Sequence, residues 1–159
     1  PPRSTLFPYT TLFRSGKIQP LNSTLSIQPI LVPHRDEYTE TVGFMIIGPI
    51  KKILFIPDID SWEKFPEIYS LLEQADDILV DGTFYDASEC KHRNIESIPH
   101  PFITSSMKHF ETLPTLKKQH FHFIHLNHTN PCLHTNTPAY QQVLANHFRI
   151  AAQGQVLPL

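Results

Sequence analysis

The chain predicts an α/β fold, and three observations point to it. From Leu25 onward, short apolar runs alternate with amphipathic stretches. Two of those runs, "TVGFMIIG" and "KKILFIPD", flank a short turn around "PIK" and read as an antiparallel hairpin. Several apolar runs also end on an acid or lead into a histidine, and in layered α/β folds the strand ends and the loops beyond them are where sites collect.

In chain order, "LSIQPILVP" predicts a strand closed by Pro33, followed by the two hairpin strands. "SWEKFPEIYSLLEQ" predicts a helix that Ser61 is placed to cap. The capping box is incomplete because Lys64 stands where Glu or Gln would close it, and Pro66 must lie near the helix start or divide it. "DDILVDGTF" reads as a buried strand ending in an acid and a glycine. "HPFITSSMKHFETL" reads as a helix with Pro101 in its first turn, where a missing N–H costs little. "HFHFIHLNH" is a further strand, "PAYQQVLANH" a further helix, and "FRIAAQGQVLPL" a closing strand or hairpin.

Composition narrows the function classes. A net charge of −2 and the lack of a basic stripe give no electrostatic reason to bind nucleic acid or an anionic membrane. No apolar run approaches the roughly 20 residues that span a bilayer, and the start lacks the layout of a secretory signal. Cys90 and Cys132 lack metal-motif spacing and are too few for a disulfide framework, so a reducing cytoplasm is expected.

The residues with chemical potential are few. His34 lies in the polar loop "VPHRDEY", Asp58 closes "ILFIPDID", and His128 follows "FIHLN". Taken singly, each has an ordinary reading as a solvated histidine, a turn acid or a satisfied histidine. Together they are the ligand types preferred by zinc, manganese or iron, and a carboxylate can bridge two such ions. His100, at a helix start, could move a proton or cap its loop. Asp81 could hold a ligand histidine in its proper tautomer or form a turn with Gly82. His120, His122 and His125 read as core or surface histidines, with His122 and His125 on opposite strand faces. Nothing marks Cys132 as a nucleophile.

The stretches "LVPHRDEYTETVGFMIIGP", "ILFIPDIDSWEKF", "ILVDGTFYD", "IPHPFITSSMKHF" and "FIHLNHTNP" occur in the order and spacing of a known family. From about Ile18 to Leu159 the chain resembles the C-terminal half of metallo-β-lactamase-fold proteins, an αββα sandwich, and within them the coenzyme PQQ synthesis protein B-like branch. The resemblance implies His34, Asp58 and His128 as metal ligands, with Asp58 bridging two ions in the intact protein. It implies His100 as an aid to proton transfer and Asp81 as the acid behind a ligand. The implied ions are divalent: zinc first, with iron or manganese also suited. The implied activity is that of a metal-dependent, hydrolase-like enzyme acting on a small molecule and linked to pyrroloquinoline quinone biosynthesis.

The family's metal signature, of the form H-x-H-x-D/x-H, comes from the N-terminal half and is not found in this sequence. Thr5 to Ser15, "TLFPYTTLFRS", back-translates in frame to a standard sequencing-library adapter. Residues 1–15 are therefore expected to be non-native, and residues 16–159 to form a partial domain. On this expectation the chain is either a fragment of a metallo-enzyme or a catalytically inactive half-domain whose exposed sheet face favours self-association.

Overall fold

The computed structural model describes residues 16–35, 40–90 and 98–159, so the adapter-like stretch lies outside the described residues. Among these, the strands β1 (Gln19–Pro20), β2 (Ser26–Leu31), β3 (Val42–Ile47), β4 (Lys52–Ile56), β5 (Asp77–Asp81), β6 (Phe121–Ile124) and β7 (Arg149–Ile150) form one sheet in sequence order. The helices are α1 (Ile68–Gln74), α2 (Ile103–His109), α3 (Thr115–Gln119) and α4 (Pro138–Ala145).

Strands β1 to β4 pair antiparallel, and β4 to β7 pair parallel. The expected hairpin is β3–β4, with Ile47 opposite Lys52. Each parallel step carries a helical crossover. Right-handed crossovers that advance in one direction along a sheet place their helices on one face. The core agrees with this. Ile68 and Leu72 of α1, Ile103 and Met107 of α2, and Ala139 and Val143 of α4 join one buried cluster with the sheet row Met45, Leu54, Ile78 and Phe121. The alternate row, Phe44, Phe55 and Leu79, is only half-buried and ends on His122.

Two local expectations are corrected, and the closing strand or hairpin resolves to a strand. The stretch from Ser61 is not one helix: Trp62–Lys64 forms a 3-10 turn, α1 begins only at Ile68, and Ser61 makes no side-chain cap. Pro66 divides the two, because proline lacks an N–H and its ring clashes with a preceding turn. Helix α2 begins at Ile103, with Pro101 before the N-cap residue Phe102. The closing strand is two residues long and pairs parallel to β6, so there is no terminal hairpin among the described residues. Trp62 still anchors the 3-10 turn, its indole N–H donating to Ser106 Oγ at 2.8 Å inside the core.

Gly82 is required by close approach. A Cβ there would lie 2.7 Å from Phe123 Cβ and 3.1 Å from Ile124 O. Gly82→Ala is therefore expected to destabilise the chain by about 1–3 kcal/mol through overpacking, read as a lower urea midpoint. An unchanged midpoint would mean that β5 and β6 can separate freely at this point.

Buried His122 gives the fold a pH dependence. Burial holds its imidazole below the ordinary value, against the opposing pull of Asp77. The unfolded chain takes up a proton below about pH 6.5 that the folded chain refuses, so this residue lowers stability as pH falls through that range. Between about pH 7.5 and about pH 5.5, the urea midpoint of His122→Leu should fall less than that of the unsubstituted chain. Equal falls would remove His122 as the cause.

Candidate metal centre

The sheet's direction decides which residues meet. Strands β4, β5 and β6 are parallel, and β2 runs with them because both β2 and β4 are antiparallel to β3. The chain therefore leaves all four strands at one edge, with His34 beyond β2, Asp58 beyond β4, Asp81 ending β5 and His125 beyond β6. The backbone joins these loops: Asp60 N–H donates to Pro33 O at 2.8 Å, and Asn127 N–H to Thr83 O at 2.9 Å.

At this edge Asp58, His100 and His125 each offer a ligand atom, all within 4.8 Å of one another. Asp58 Oδ1 lies 3.5 Å from His125 Nδ1 and 3.8 Å from His100 Nδ1. His100 comes from the loop before α2 and is mostly buried, with its Nδ1 2.7 Å from Asp81 Oδ2. Burial works against the charged form of His100. The hydrogen bond and charge of Asp81, helped by Asp58 and Asp60, outweigh it and raise the imidazole above its ordinary value. Its contribution to stability is thus present below about pH 6.5 and lost as pH rises through the raised value, opposite in sign to that of His122.

Asp81 is fully buried and receives four contacts. The Ile59 N–H donates at 3.2 Å, the Thr83 N–H at 2.9 Å and the Thr83 hydroxyl at 2.8 Å, and the fourth contact is His100. Such a carboxylate is held in place before any ligand arrives.

His34 stands beside the group, its ring centroid 5.6 Å from that of His100. Its Nδ1 lies 3.2 Å from Asp60 Oδ1, but the two are not aligned as a hydrogen bond, and both atoms are buried without such a partner. Leaving a buried polar atom unsatisfied costs about 1–3 kcal/mol, so an orphaned nitrogen and oxygen next to a His/His/Asp group fit a cation-binding environment.

Of the residues singled out from sequence, the structure thus groups Asp58 with His100, sets Asp81 directly behind His100, and leaves His34 adjacent. His128 is exposed and lies outside the group. His125, read from sequence as a core or surface histidine, is exposed and offers the third atom of the group. It sits just past β6 with φ 61°, so the strand alternation used to place it had already ended. No sequence signal announces a non-glycine residue in that left-handed region, and such strain is found where surrounding contacts over-determine it. His100, expected to move protons, stands among the ligand atoms. Cys132 is no competitor as a nucleophile, because burial pushes its thiol up to about 12.

Among the described residues, no helix is long and apolar enough to cross a membrane. Coenzyme PQQ synthesis protein B from Methylococcus capsulatus is 28% identical over 145 residues, which is 84% of this chain and 46% of that protein. The protein of the same name from Methylobacillus flagellatus is 28% identical over 141 residues, 81% of this chain and 45% of that protein. The chain thus spans about half the length of the curated relatives it matches. A crystal structure of Zn2+-bound PqqB from Methylobacterium extorquens superposes with a TM-score of 0.76 at 21% identity, over 91% of this chain and 54% of that one. Residues 9–130 match the Beta-lactamase superfamily domain. The chain therefore belongs to the beta-lactamase superfamily and has the metallo-β-lactamase fold.

Proposed function

We propose that this chain supplies one wall of a divalent-metal site in a metal-dependent, hydrolase-like protein that acts on a small molecule in coenzyme PQQ synthesis. The convergence of Asp58, His100 and His125 within 4.8 Å carries this reading. The coenzyme PQQ synthesis proteins among its relatives and the zinc-bound neighbour support the pathway and the kind of ion. Two imidazoles and a carboxylate suit zinc, iron or manganese, and the zinc-bound neighbour favours zinc.

A bound divalent ion supplies Lewis acidity and brings the pKa of water toward neutrality. The chain's own residues do the rest. Asp58, His100 and His125 hold the ion, and Asp81 fixes the ring of His100. His34, beside His100 and with an unsatisfied Nδ1, would serve a second ion. An open groove of about 510 Å³ is lined by His34 with Val32, Pro33, Lys64, Phe65 and Leu71 among others, while Asp58, His100 and His125 lie outside its lining.

Because the chain spans about half the length of its relatives, turnover is proposed for a whole protein of this kind, and ion binding for this chain. Cobalt(II) titration followed by visible absorption tests the reading. The expected result is a saturable band at about one equivalent, weakened at least about 100-fold by Asp58→Ala. No saturable band, or one indifferent to Asp58→Ala, would overturn it. The alternative, a catalytically inactive half-domain lacking the N-terminal metal-binding motif, predicts the band without turnover by this chain alone.

A further inference from the structure

We propose that Thr83 is a positioning residue that locks His125 in its Nδ1–H tautomer, leaving Nε2 as that ring's only lone-pair nitrogen. The inference deepens the proposed metal site and rests on it for its functional meaning. It follows from counting donors and acceptors. The Thr83 hydroxyl has one proton, and the 2.8 Å contact to Asp81 Oδ1 takes it. The same Asp81 oxygen also accepts the Thr83 backbone N–H at 2.9 Å, which is an obligate donor. Thr83 Oγ1 therefore keeps only acceptor capacity.

Two ring nitrogens face that oxygen: His125 Nδ1 at 3.2 Å and His100 Nδ1 at 3.3 Å. His100 has a shorter acceptor in Asp81 Oδ2 at 2.7 Å, so the open lone pair on Thr83 falls to His125. Asp58 Oδ1, also an acceptor, lies 3.5 Å from His125 Nδ1. A lone pair on Nδ1 would thus point at lone pairs, whereas a proton there is accepted from both sides.

The backbone holds the two residues in register. Gly82 N–H donates to Ile124 O at 2.9 Å and Asn127 N–H to Thr83 O at 2.9 Å, on either side of the left-handed His125. The buried Asn130 side-chain amide donates to Gly82 O and Thr83 O at 2.9 and 3.2 Å, fixing the same segment from a third direction. His100 gains its Nδ1 proton acceptor from Asp81, and His125 gains its own from the hydroxyl that Asp81 orients. One buried carboxylate thereby sets the tautomers of both imidazoles.

The test is long-range 1H–15N correlation of the imidazole rings in the metal-free chain at about pH 8, above the ordinary imidazole range. The His125 signals are those missing in His125→Ala. The expected result is an Nδ1–H tautomer for His125, lost or mixed in Thr83→Val and restored in Thr83→Ser. Cobalt(II) affinity should fall about tenfold in Thr83→Val and recover in Thr83→Ser. An Nε2–H tautomer in the unsubstituted chain overturns the proposal, as does a Thr83→Val chain with unchanged tautomer and affinity. If Thr83→Val does not fold, the tautomer of the unsubstituted chain still decides. Failure of the unsubstituted chain to take up cobalt removes the metal-site reading but leaves the tautomer result to stand or fall by itself.

Discussion

His125→Ala is expected to strip the chain of its divalent ion, while His128→Ala leaves the ion bound. His125 offers one of three ligand atoms that all lie within 4.8 Å of one another. His128, three residues later, is exposed and outside the group. Losing an outer partner of a metal ligand already costs about 10–100-fold in affinity, so losing the ligand itself should cost at least about 100-fold. Zinc retained after desalting, measured by elemental analysis, distinguishes the two variants. Equal loss in His128→Ala would return the ligand place to His128, as the family resemblance had suggested.

The second large effect concerns stability. Asp81→Ala should cost about 3–5 kcal/mol even without metal, because it removes a fully buried carboxylate and orphans the donors around it. Those donors are the Ile59 and Thr83 N–H groups, the Thr83 hydroxyl and His100. Asp81→Asn keeps the shape, yet its amide group can accept on one side only, so a smaller loss of the same sign is expected. Urea unfolding of both variants checks the order. A change below about 1 kcal/mol for Asp81→Ala would mean that the network adds little to the folded state.

Much of the architecture was legible because it depends on local pattern. The runs that became β3 and β4 are rich in β-branched and aromatic residues, and the turn between them is short. Strand β1 is two residues long, and α3 is five residues with none buried, so neither leaves a hydrophobic period to read. The break at Pro66 was visible as a conflict, but its outcome depended on how Trp62 packs against Ser106 and Phe110.

The site divides in the same way. Asp58 and Asp81 were legible because an apolar run that ends in an acid marks a strand end, and the parallel sheet brings such ends to one edge. His100 could be found at the approach to a helix. His125 could not, because its place depends on a left-handed backbone one residue past the last β6 pair, and strand alternation says nothing about residues beyond the strand. The contact of Asp60 with His34 depends on the Asp60 N–H to Pro33 O bond between two loops distant in sequence, which no local pattern announces.

The most direct test of the central claim is anomalous diffraction at the zinc edge from crystals of the chain grown with zinc. A peak bounded by Asp58, His100 and His125 is the expected result. A peak at His128 without those residues, or no peak at that edge of the sheet, would contradict it.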